Sequence, residues 1–400
     1  MFDPASVRLR GPLTPHVTGF WSELRRQGYA PPSARHLLFV MAHFSRWLGA
    51  RRLQEGDISD ERVAAFMAHR RRQGYAKFRS PRSLRPLLSY LRSIGVAPLP
   101  EPAVAATPVD RLLSEYADHL AQERGLVAST IRGYTDFARR FIAGRPDGAS
   151  LRWERLTPAE ISRFIVREAR RWSVGQVKHE VCALRSLLRY LHVRGQIRSD
   201  LASCVPAVAG WRLAWLPKAL EPDQVQRVFR ACDRRSLIGR RDAAIVQLMV
   251  RLGLRASDVA ALQLDDLDWR SGEIALRGKG RRESRLPLPR DVGRVLAAYI
   301  RRRPCTSCRR VFLRCRAPHE PLTRGGVIGA IGRVLRRAGI RGGGHLLRHT
   351  AATQMLRHGA SLSEIGHVLR HRHVDTTAIY AKVDDATLRT LARPWPCGAP

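Results

Sequence analysis

Four segments carry side chains that could grip and process a phosphodiester. In Leu252-Gly253-Leu254-Arg255-Ala256-Ser257-Asp258, the glycine is expected to end one helix and Ser257 to cap the next. Arg255 then projects from a helix junction, where a planar guanidinium can fork onto phosphate oxygens. Lys279 lies in Gly278-Lys279-Gly280, between two alternating apolar runs, so a turn would carry its ammonium toward a leaving 5′ oxygen that needs a proton. In Gly344-His345-Leu346-Leu347-Arg348-His349-Thr350, His345 and Arg348 have the spacing that shares a helix face. His349, one position round, reads as a packing or supporting histidine. In the stretch Leu369 to Tyr380, a short helix is expected to end near Leu369 and His371 follows. Thr376-Thr377 can cap a last helix bearing Tyr380. Taken singly, each residue is ordinary. Among 71 basic side chains an arginine is usually solvated surface, a turn lysine faces water, and a helical tyrosine packs. Their joint occurrence in this order is what calls for explanation.

Helices and one hairpin must hold these groups. Ile274 and Leu276, then Leu286 and Leu288, alternate as strands of a hairpin do, and helical spacing resumes at Val292, Val295, Leu296 and Tyr299. Two stretches read as linkers because proline interrupts regular structure: Val96 to Pro108 and Val205 to Ala219. They divide the chain into residues 1–100, 109–209 and 217–400. The first two divisions look like diverged copies of one helical unit. Arg26 to Leu48 aligns with Glu123 to Ile142, Ile58 to Met67 with Leu156 to Ile165, and Ser83 to Gly95 with Ala183 to Gly195. Each reads as a bundle of about four helices, with leucines at helical spacing such as Leu184, Leu187, Leu188 and Leu191. Ser129-Thr130 and Thr157-Pro158-Ala159-Glu160 look like helix starts.

Lys plus Arg number 71 against 34 Asp plus Glu, a formal net charge of +37. Such a surface repels itself unless an anionic partner neutralises it, and nucleic acid does so with release of counterions. Some of the excess arginine fits a GC-rich coding bias. A membrane surface fits less well, because the basic residues run the whole length rather than along one amphipathic helix. No run of apolar residues is long enough to span a bilayer, and the start lacks a secretory pattern. The seven cysteines suit a reducing cytoplasm better than a disulfide framework. Cys305, Cys308, Cys315 and His319 have spacing that could serve zinc, but Val311-Phe312-Leu313 between them reads as a core strand, and no metal is assigned.

Taken together, the four segments resemble the tyrosine recombinase, or phage integrase, family. The match is strong from Leu220 to about Val383; Val109 to Ala209 is similar to the family's helical (SAM-like) core-binding domain, and Met1 to Gly95 looks like a second copy of it. The resemblance implies a mainly α protein with a small antiparallel β-hairpin or sheet in the catalytic domain. It implies that Arg255 and Arg348 clamp the scissile phosphate, Lys279 acts as general acid, and His345 and His371 bond the phosphate or move protons. Tyr380 would be the nucleophile, with Asp258 and His349 in support. No cofactor would be needed, since a phosphotyrosine stores the bond energy for rejoining. The implied partners are double-stranded DNA recombination sites, further copies of the chain as a tetramer on synapsed DNA, and accessory recombination proteins; the implied location is the bacterial cytoplasm, at the nucleoid. Two departures stand out: Arg370 replaces a glycine before His371, and Lys382 replaces a common histidine. A type IB topoisomerase or a non-enzymatic DNA- or RNA-binding protein would account for part of the pattern. Which site is recombined, and whether for integration, excision, resolution or transposition, is not written in the residues.

Overall fold

Apolar periodicity builds two small bundles of the same plan. In the computed structural model, which describes residues 8–99, 107–145, 151–209, 218–277, 283–371 and 375–383, the first consists of α1 (Val17–Arg26), α2 (Pro31–Gly49), α3 (Asp60–Arg72) and α4 (Arg85–Ser93). The second consists of α5 (Pro108–Gln122), α6 (Ala128–Ala143), α7 (Pro158–Ala169) and α8 (Val174–Val193). A 3₁₀ turn precedes the third helix in each, at Glu55–Asp57 and Trp153–Arg155. Leu184, Leu187, Leu188 and Leu191 are all 0% exposed, and each such burial stabilises by about 1.5–3 kcal/mol. Thr157 caps α7 in a reciprocal box with Glu160, with Pro158 opening the helix. Ser129-Thr130 do not cap α6: that helix begins at Ala128, behind an N-cap at Val127.

The last segment is assembled around α10 (Leu237–Leu252), which follows α9 (Pro222–Arg230) and is buried over most of its length. Its two buried charges, Arg241 and Asp242, pair at 2.7 Å, and Arg333 reaches Asp242 from outside at 3.2 Å. After α11 (Ala256–Ala261) comes an antiparallel three-stranded sheet of order β1 (Leu267–Asp268), β2 (Glu273–Arg277) and β3 (Glu283–Pro287). Ile274 pairs with Leu286 and Leu276 with Ser284, in the hairpin register the alternation predicts. The chain continues through α12 (Arg290–Ile300), α13 (Arg324–Arg337), α14 (Gly344–Arg357), α15 (Leu362–Val368) and a short α16 (Asp375–Ala378). Val311-Phe312-Leu313 is wholly buried but is not a strand; its β pairing is limited to isolated bridges, Gln263 to Arg310 and Leu313 to Pro321, and further hydrogen bonds run to Leu262, Leu322, Arg241 and Tyr299. Two compact units result, Pro100–Ala214 on its own and Met1–Leu99 together with Trp215–Pro400.

Candidate active site

Gly253 ends α10 in the left-handed region, at φ 63°, and lies against Leu369, whose Cδ2 would come 2.3 Å from an added Cβ. Glycine meets both demands, steric and conformational. The turn delivers Arg255 as the N-cap of α11, where its backbone N–H donates to Asp258 Oδ2 at 3.1 Å. Asp258 rather than Ser257 closes this cap, because a carboxylate three residues into the helix reaches back over the first turn. The Arg255 side chain stays exposed and donates to the carbonyl of Arg370 at 3.3 Å. Arg370 in turn pairs with Asp258, so the two arginines and one carboxylate interlock.

Arg348 occupies the buried face of α14. Its Nη1 donates to Gly253 O and its Nη2 to Leu369 O, the carbonyls that close α10 and α15. One guanidinium thus ties together the ends of two helices. His371 follows immediately; its backbone N–H donates to Gly366 O at 2.9 Å, and its Nδ1 meets the buried Thr377 hydroxyl at 2.7 Å. Tyr380 lies in the 3₁₀ segment Ile379–Val383, not in the helix the sequence suggested, and Thr376-Thr377 are inside α16 rather than capping it. The Tyr380 side chain is 1% exposed, packed with Ala352, Ile365 and Leu369. Its hydroxyl is 2.8 Å from His349 Nδ1, and the exposed His345 ring stands 6.5 Å from that of His349.

Burial and like charge set the protonation states. Arg348 is pulled down to about 10 by burial and by neighbouring Arg255. Burial, with Arg348 and Arg255 adding to it, takes His371 down to about 4. His349 is also lowered, by burial first and then by His345 and Arg348. Burial pushes the Tyr380 phenol up to about 12, with Arg348 pulling the other way. Near neutrality the site therefore holds cationic arginines, neutral His371 and His349, and a protonated phenol. Such a set can bind a phosphate diester and stabilise the extra charge of its pentacoordinate transition state.

The fold brings Arg255, Asp258, His345, Arg348, His349, His371 and Tyr380 to one neighbourhood. Lys279, between β2 and β3 in the chain, lies outside the described residues. Three contacts escape the sequence pattern: Thr377 with His371, Arg370 with Asp258, and the carbonyls that hold Arg348. Arg370 had a signal, since it replaces a glycine and adopts φ 54°, a region that favours glycine. Among the described residues, no three His, Cys, Asp or Glu side chains are grouped to hold a metal. Cys305, Cys308 and Cys315 are free thiols, and His319 Nδ1 faces Arg314 O.

Residues 218–387 match the phage integrase family. A relative in Sinorhizobium fredii (strain NBRC 101917 / NGR234), named integrase/recombinase y4rA, is 41% identical over 96% of this chain and 95% of its own. The tyrosine recombinase XerD of Listeria monocytogenes serotype 4b is 30% identical over 70% of this chain and 96% of its own. Among solved structures, a lambda integrase tetramer bound to a Holliday junction superposes with a TM-score of 0.52 at 17% identity, covering 73% of this chain and 85% of that one.

Proposed function

This chain belongs to the phage integrase family, and we propose that it is a tyrosine site-specific recombinase that cuts duplex DNA with Tyr380. The phenolic oxygen attacks phosphorus, the bond to the 5′ oxygen breaks, and the 3′ end remains as a phosphotyrosine. The phenol proton passes to an imidazole, for which His349 Nδ1 is already in place. Lys279 returns a proton to the departing 5′ oxygen. Arg255 and Arg348 hold the non-bridging oxygens, with His345 and His371 completing the cage. Each fixed donor of this kind is worth about 2.7–4 kcal/mol in the transition state. Attack by the 5′ hydroxyl of a partner strand reverses the step and rejoins the DNA, with no high-energy cofactor consumed.

The observation that carries this reading is the convergence of two guanidiniums, three imidazoles and a phenol at the ends of α10, α14 and α15. The excess of basic residues supplies the complementary surface for the duplex. Recombination needs paired sites, so the working assembly is four protomers on two duplexes that exchange strands through a junction. The lambda integrase tetramer bound to a Holliday junction supports that analogy. We place the reaction in the bacterial cytoplasm, on nucleoid DNA. The division of labour follows the chain: residues 1–100 and 109–209 grasp DNA, and 217–400 catalyse.

The decisive experiment uses Tyr380→Phe on a nicked duplex taken from the flanks of the encoding element. Binding should persist while the covalent protein–DNA adduct disappears. An adduct formed by the variant would remove Tyr380 from its role.

A further inference from the structure

The first bundle and the loop Arg314–Pro321 meet within one compact unit. The His319 backbone N–H donates to Gln27 O at 3.2 Å. Its ring lies against Gly28, where an added Cβ would come 2.1 Å from His319 Cδ2. Gly28 also sits at φ 84°, so the seam depends on glycine for both space and backbone shape.

Beside this seam opens a cleft of about 610 Å³. The bundle lines it with Arg26, Arg82 and Arg85; the loop side contributes Arg314, Ser307 and His319. Arg26 is engaged by Glu23, and Arg314 by Glu320. Arg82, on the 3₁₀ turn before α4, and Arg85, at the start of that helix, have no partner among the described residues. Two exposed guanidiniums on one wall repel each other until an anion lies between them, and their fork geometry matches phosphate oxygens. The walls offer guanidinium, hydroxyl, amide and imidazole groups and one carboxylate, Glu320, which Arg314 already pairs, with Tyr29 the sole large aromatic side chain among the described lining residues. They can therefore recognise a sugar–phosphate backbone rather than stacked bases.

We propose that this cleft seats backbone phosphates of the DNA flanking the recombination core. The first bundle would thereby add affinity that depends on DNA length and is separate from the residues around Tyr380. This inference rests on the reading of the chain as a DNA recombinase.

The test compares the full chain with its Arg82→Ala/Arg85→Ala variant on two duplexes, one limited to the core and one extended on both sides. Fluorescence anisotropy gives the slope of log affinity against log salt. On the extended duplex the slope should become shallower by about 1.8, at about 0.9 for each phosphate no longer neutralised. On the core duplex both proteins should bind alike. An unchanged slope on the extended duplex, or an equal loss on the core, overturns the proposal. Gly28→Ala, which drives His319 off the bundle, should also lower the flank contribution; full retention would count against the seam. Tyr380→Phe should keep the flank slope while losing the adduct, so failure of the nucleophile assignment remains distinguishable from failure of this site.

Discussion

At the scale of single residues, the site sets a reluctant phenol beside a willing acceptor. Tyr380 holds its proton more tightly than an exposed tyrosine, and a neutral His349 in the Nε2-protonated tautomer presents an Nδ1 lone pair that can take that proton. His349→Phe keeps the ring volume but leaves the hydroxyl without an acceptor. Covalent attachment in single turnover should fall by about 10²–10⁴-fold, the usual range for a proton-transfer group, with DNA affinity unchanged. An unaltered rate and pH profile would reduce His349 to packing. The histidines also tie protons to stability. His371 and His349 lie below the ordinary 6.5 in the folded chain, so as pH falls the unfolded chain is protonated first. Stability should therefore rise with pH between about 4, the folded His371 value, and 6.5. A bound phosphate reverses the bias by favouring imidazolium. DNA binding at pH 6 should take up protons, visible in calorimetry as a dependence on buffer ionisation enthalpy. Identical heats in phosphate-free buffers of different enthalpy would argue that no phosphate reaches these rings.

At the scale of elements, helix ends do the positioning. The close of α10 presents Gly253 O and the close of α15 presents Leu369 O, both to Arg348. Gly253→Ala would force a left-handed alanine and push a methyl group into Leu369. The backbone strain alone costs about 1–2 kcal/mol, and the clash adds to it. Thermal unfolding should report the loss, and covalent attachment should drop beyond what the lower stability explains, because Arg348 loses its seat. Much of this arrangement was legible in the sequence, for physical reasons. Gly253 before Arg255, the Thr157 box and the β2–β3 alternation each follow from local rules, and the structure bears them out. The failures are of another kind. Ser257 and Asp258 are both competent caps, and side-chain reach decided between them. Val311-Phe312-Leu313 is apolar enough for a strand, but its neighbours offer only single bridges. Tyr380 sits in a 3₁₀ segment rather than the helix expected, and Thr377, inside the short α16 before it, bonds His371 instead of capping. Pairings such as Arg370 with Asp258 join segments far apart in the chain, where periodicity carries no information.

At the scale of the whole molecule, the two bundles repeat one plan of helices and 3₁₀ turns, and the Sinorhizobium fredii relative y4rA matches over 96% of this chain. In the tail, which lies outside the described residues, Leu388 and Leu391 have the spacing that would share one face of a helix over Asp385 to Ala392. If that face docks on a neighbouring protomer, deleting Val383 to Pro400 should lower strand exchange while leaving DNA binding largely intact. Full exchange by the truncated chain would exclude docking in trans. The burial of Tyr380 has a further consequence at this scale. If Tyr380 is the nucleophile, its side chain has to leave the packing against Ala352, Ile365 and Leu369 before its oxygen can meet phosphorus. Landing on DNA and cutting it would then be separate events, the second waiting on a rearrangement that the first need not trigger.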